Sequence, residues 1–129
     1  MTTNPPPPAG ASNLGMQPNV AGLLCYVPCC VGLVFSIVAA IVEKQSRFVR
    51  FHAFQSLLLH AGMITLGLAT GVAQMVVGAL LGPLAILFVV VGPLLGLVFL
   101  GLTVFMMVKA HAAEEYSLPV IGDIAKGWL

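Results

Sequence analysis

His60 is the side chain in this sequence best suited to chemistry. It lies within residues 51–108, a stretch with no Asp, Glu, Lys or Arg. An imidazole in apolar surroundings is costly to charge and stays neutral, with one ring nitrogen donating and the other accepting. Two functional uses follow: axial ligand to a haem or chlorophyll-like porphyrin, or a step in a proton relay. The plainer use, which this sequence favours, is a packed histidine hydrogen-bonded to a neighbouring helix. His52 sits nearer the charged residues and reads as a polar member of an amphipathic face, and His111 falls in the tail.

Cys25, Cys29 and Cys30 are the three cysteines. An odd count is no disulfide framework, and no fourth ligand accompanies Cys25 and Cys29, so they read as small buried apolar residues and no metal site is expected. The carboxylates are Glu43, Glu114, Glu115 and Asp123, all outside the apolar stretches. No Ser–His–Asp arrangement, phosphate-cradling loop or HExxH occurs. A non-enzyme is expected, with no cofactor unless a porphyrin sits at His60.

The elements that hold these residues are set by the solvent the chain requires. Hydrophobic residues make up 60% of the 129 and charged residues 7%, with net charge +1. Soluble domains run near ~45–50% and ~25% on the same two counts, so the solvent is a membrane. The net charge of only +1 and the lack of a basic cluster exclude nucleic acid as a partner. No basic segment precedes the first apolar run, so the start is not a signal peptide.

Residues 1–19 read as a flexible tail, with Pro5 to Pro8 favouring an extended polyproline rod. Residues 20–129 read as an all-α integral membrane domain of three transmembrane helices. The first is 20–42, uncharged and kinked by Pro28. Arg47, Phe48, Arg50, Phe51 and Phe54 give the second span an interfacial, amphipathic start, and Ser46 is placed to cap it. Residues 51–108 hold two spans, divided by a turn at Gly82-Pro83. After Pro119 a short amphipathic helix places Trp128 at headgroup level.

Three spans put Lys44, Arg47, Arg50, Lys109 and Lys126 on one side. Positive-inside bias then predicts a multi-pass protein of the inner (plasma) membrane, with the N-terminus outside and the C-terminus cytoplasmic. Arg47 and Arg50 are expected to contact lipid headgroups, or to pair with Glu43 or with Asp123 of the tail.

On the second span, His52, Ser56, His60, Thr70 and Gln74 fall within one third of the helix circumference. Gly67, Gly71 and Gly78 run beside them, with GxxxG spacing at Gly67 to Gly71 and Gly78 to Gly82. Small residues let helix backbones approach in lipid, so this whole stripe is expected to be buried against protein. The phenylalanines and leucines opposite should meet acyl chains.

Three stretches carry a resemblance: Leu24-Cys25-Tyr26-Val27-Pro28; Arg47-Phe48-Val49-Arg50-Phe51-His52-Ala53-Phe54-Gln55-Ser56-Leu57; and Lys109-Ala110 with Tyr116 and Leu118-Pro119-Val120-Ile121-Gly122-Asp123-Ile124-Ala125. Together they resemble small bacterial membrane proteins related to the Tic-twenty subunit of the chloroplast inner-envelope translocon. That resemblance implies a helical membrane protein working in complexes, and supplies no reaction. The expected function is a non-enzymatic membrane subunit or scaffold, translocon-like by resemblance. Its partners would be lipids, other membrane-protein subunits or further copies of itself. The alternative is a pigment- or haem-binding accessory subunit with His60 as ligand.

Overall fold

The computed structural model describes residues 12–129, which are helical with no strand among them. The elements are α1 (Pro18–Leu24), α2 (Cys30–Val42), α3 (Arg47–Leu81), a 3-10 turn (Gly82–Ala85), α4 (Ile86–His111) and α5 (Ile121–Gly127). Residues 1–11, with the proline run, lie outside the described residues.

The expected first span is not a single helix. Pro28 has no amide hydrogen to continue α1, and Cys29 takes a positive φ of 71°. The chain therefore turns at residues 25–29 and comes back as α2. Gly32 is what permits the turn to close: a Cβ there would sit on the Val27 carbonyl oxygen and 2.9 Å from that of Cys25. With 13 residues, α2 is ~20 Å long, short of a ~30 Å hydrocarbon layer.

The two ends of this α1–α2 hairpin meet. Asn13 Oδ1 accepts from the amides of Lys44 (2.8 Å) and Gln45 (3.1 Å). The Glu43 carboxylate accepts from the Ser12 hydroxyl and from the amides of Asn13, Gln45 and Ser46, the three amides each at 2.9 Å. A straight helix over residues 20–42 would hold its ends ~34 Å apart. The expectation of a single kinked helix over residues 20–42 is thus corrected: Ser12 and Asn13 lie beside the segment leading into α3. The last residues of the expected flexible tail are likewise held by Glu43 and begin α1.

The second and third apolar segments form where expected. Ser46 caps α3, its hydroxyl accepting from the Val49 amide at 3.3 Å. The chain reverses at Gly82, where a φ of 51° suits glycine. Pro93 is carried inside α4 without dividing it. The run Arg47–His111 is long and apolar enough to cross a membrane, with mean hydropathy 2.7 in its most apolar window. Within it α3 and α4 fold back on each other, bringing His60 against Phe99 with ring centroids 5.3 Å apart.

The core sits at the base of this hairpin, where α1, α2, the first turns of α3, the last turns of α4 and the tail converge. Tyr26, Val49, Phe51, Met106 and Ala110 are fully buried there. Phe48 and Phe51 were expected at the lipid interface. Instead they edge the His52 ring, at 4.5 and 5.3 Å between centroids. Beyond the base the hairpin is bare, with Leu68, Met75, Leu80, Ile86 and Leu97 among its exposed side chains.

Candidate functional site

The chemistry-bearing side chains gather in the base as a buried polar network. The Leu118 amide donates to Gln55 Oε1 at 2.9 Å. Gln55 Nε2 donates to the Tyr26 hydroxyl and to the Tyr116 carbonyl, each at 3.0 Å. Tyr26 Oη and His52 Nδ1 are 3.1 Å apart, and His52 Nε2 lies 3.1 Å from the Glu114 carbonyl. A carbonyl only accepts, so Nε2 carries the proton and donates. Nδ1 must then accept from the tyrosine hydroxyl. Every bond runs in one sense, from the Leu118 amide through Gln55, Tyr26 and His52 to the Glu114 carbonyl.

This network joins three segments: the end of α1, one face of α3 and the chain at residues 114–118. The tail fits so closely that a Cβ on Gly122 would meet the Ser117 hydroxyl and stand 2.6 Å from Gln55 Oε1. Lys109 reinforces the closure, pairing with Glu114 at 2.8 Å and lying over the rings of Phe105 and Tyr116.

A second group serves the break between α1 and α2. Ending α1 leaves the Cys25 carbonyl without a helical partner, an expensive state in an apolar setting. The hydroxyls of Ser36 (3.0 Å) and Ser56 both donate to it. His60 stands one turn beyond Ser56, its Nδ1 2.8 Å from the Ser56 carbonyl. Nδ1 therefore carries the proton, and Nε2 is a bare acceptor. Nε2 is covered and has no hydrogen-bond partner among the described residues.

The expected stripe on α3 divides in two. His52, Ser56 and His60 are buried within this chain. Gly67, Gly71 and Gln74 are exposed, Thr70 and Gly78 half-buried, and nothing lies within 4 Å of a Cβ built on Gly67 or Gly71. Within this chain, then, only the first half of the stripe is covered.

Among the described residues, neither Arg47 nor Arg50 forms an ion pair with Glu43 or Asp123. Glu43 is taken up by Ser12 and three backbone amides, and Asp123 lies 3.9 Å from Lys126. Arg50 lies over the Phe54 ring at 5.7 Å, and Phe54 meets the Trp128 edge at 5.9 Å. Burial raises the Glu43 pKa, but its four hydrogen bonds outweigh that and hold the carboxyl below the ordinary glutamate range. Cys25 is buried as expected. Cys29 and Cys30 are exposed, because the turn carries them to the outside of α2. Among the described residues no three His, Cys, Asp or Glu side chains come together as metal ligands.

Sequence reasoning missed Tyr26, Gln55, Ser36 and Glu43 as members of these networks. Gln55 had a signal, since it follows His52 by three residues and shares its side of α3. Tyr26 had a weaker one, as a phenol in an uncharged run that needs a partner for its hydroxyl. Glu43 and Ser12 are far apart in sequence, and nothing local joins them.

Comparison with known proteins agrees with a membrane-protein assignment. A UPF0132 membrane protein of Methanocaldococcus jannaschii is 36% identical over 117 residues, covering 91% of this chain and 93% of the relative. One from Archaeoglobus fulgidus is 36% identical over 111 residues, covering 86% and 94%. No solved structure matches. The resemblance to the Tic-twenty group is overturned, because the family model that fits residues 11–125 spans all three stretches that suggested it and describes a different family. The chain belongs to the magnetosome magnetite crystal formation (MamF/MmsF) protein family.

Proposed function

We propose that this chain is a non-enzymatic membrane subunit that offers other membrane proteins, or further copies of itself, an apolar helical hairpin held upright by a rigid base. The observation that carries the reading is the contrast along α3. Its first turns spend their polar groups inside the chain, while its distal turns leave an uncharged surface open with Gly67 and Gly71 uncovered. In lipid, such a surface is satisfied by acyl chains or by close helix packing. In this reading α3 and α4 cross the plasma membrane as a pair. The α1–α2 hairpin enters from the cytoplasmic side and returns to it, leaving Lys44, Arg47, Arg50, Lys109 and Lys126 cytoplasmic. If the role named by the family description, magnetite crystal formation, extends to this chain, it would act through membrane packing around the mineral compartment.

Replacing Gly67 and Gly71 together by leucine tests the packing surface. The monomer should keep its helicity, since both sites are open, while crosslinked species in mild detergent should fall severalfold. Undiminished crosslinking would remove the distal face from the interface.

A second reading is favoured by one observation, the unpartnered Nε2 of His60. With Nδ1 held by a backbone carbonyl, that nitrogen has the protonation of an axial ligand to a porphyrin. A visible absorption band that copurifies and is lost in His60→Ala would select it.

A further inference from the structure

The face of α3 that carries Arg47, Arg50 and Phe54 meets the end of α5 at Trp128. Three features of this corner stand apart from the networks of the base. Arg50 Nε is covered yet has no acceptor among the described residues, and its guanidinium rests over the Phe54 ring. Arg47, one turn earlier on the same face, is exposed. Val120 just before α5, Ile124 on it and Trp128 just after it are 70%, 44% and 52% exposed, spaced four residues apart. Asp123, the nearby acid on α5, lies 3.9 Å from Lys126.

We propose that Arg47, Arg50, Phe54 and Trp128 form a seat for the headgroup of an anionic phospholipid, whose acyl chains lie along Val120 and Ile124. Guanidinium groups match phosphate oxygens with two parallel donors, and the two terminal nitrogens of Arg50 offer such a pair beside its covered Nε. Tryptophan favours headgroup depth, and an outward apolar stripe favours acyl chain over water. An acidic protein segment would satisfy the arginines but would gain nothing from the stripe. A zwitterionic lipid would satisfy the stripe but would carry no net charge to the arginines. The proposal rests on the membrane reading given above, which puts this corner at the cytoplasmic headgroup level.

Trp128 is the single tryptophan of the chain, so its fluorescence reports on this corner alone. The full chain is placed in phosphatidylcholine bilayers holding a minor fraction of brominated phosphatidylglycerol or, in parallel, brominated phosphatidylcholine. Quenching by the anionic lipid should exceed that by the zwitterionic one at equal mole fraction, by about fivefold for one arginine contact. Arg50→Gln should bring the ratio most of the way to one, and Arg47→Gln should lower it less. A wild-type ratio near one, or a ratio that Arg50→Gln leaves unchanged, overturns the seat while leaving the membrane reading standing. No quenching by either lipid means that Trp128 is not at the membrane, and both readings fall. Should Arg50→Gln not fold, Phe54→Leu and Arg50→Lys replace it, each expected to reduce the ratio.

Discussion

Gln55 shows how one side chain can decide whether a segment stays in place. Its amide meets the Tyr26 hydroxyl, the Tyr116 carbonyl and the Leu118 amide, using both ends of the group. Leucine has a similar volume but leaves the buried Leu118 amide without its acceptor and takes a donor from the Tyr116 carbonyl and from the Tyr26 hydroxyl. Gln55→Leu should therefore cost about 2–3 kcal/mol. Hydrogen exchange at the Leu118 amide should accelerate well beyond that at the amides of α2. Uniform acceleration throughout would mean that Gln55 supports the fold at large rather than the tail. Little of this was legible beforehand. His52, Ser56 and His60 declare themselves by shared polarity in an apolar run, but their partners include the backbone carbonyls of residues 25, 56 and 114, which no side-chain pattern marks.

At the level of elements, periodicity and turn chemistry identified α3, α4 and the reversal at Gly82, because apolar runs and a Gly-Pro pair act locally. The same reasoning failed for α1 and α2. An uncharged run containing Pro28 reads equally as a kinked crossing or as a hairpin. The choice is made by contacts far apart in sequence: two serine hydroxyls on the Cys25 carbonyl and Glu43 on Ser12.

Two tests belong here. Gly32→Ala inserts a methyl against the Val27 carbonyl and should destabilise the hairpin by about 1–3 kcal/mol, seen as a lowered unfolding midpoint in detergent. An unchanged midpoint would show that the turn opens at no cost. Glu43 has its folded pKa depressed, so its contribution to stability is full above the unfolded glutamate range. That contribution fades as pH falls through the folded value. Unfolding midpoints should decline across that acidic window in the wild type, and Glu43→Gln should be less stable at neutral pH and flatter across the same window. Parallel curves for the two proteins would assign the acid sensitivity to other carboxylates.

For the whole molecule, composition pointed to a membrane protein, in agreement with the family it belongs to, and the described residues are helical as expected. The number of crossings was not legible, since it depends on the hairpin just described. Single cysteines placed at Asn13 and at Leu129, in a background with the three native cysteines replaced by alanine, distinguish the arrangements. Both should resist a membrane-impermeant maleimide in intact cells and react after the cytoplasm is opened. Labelling of the Asn13 position from outside would restore a straight first crossing.

The junction of Ser12 and Asn13 with residues 43–45 also bears on how the protein enters its membrane. On the topology proposed above, once it has closed, no water-loving stretch between residues 12 and 129 needs ferrying to the far side. The leading edge would then be the short connector Gly82–Ala85, which has no charge and no polar side chain. Insertion then resembles pushing a folded loop of oil into oil. It should make little demand on the machinery that hauls loops and tails through a bilayer.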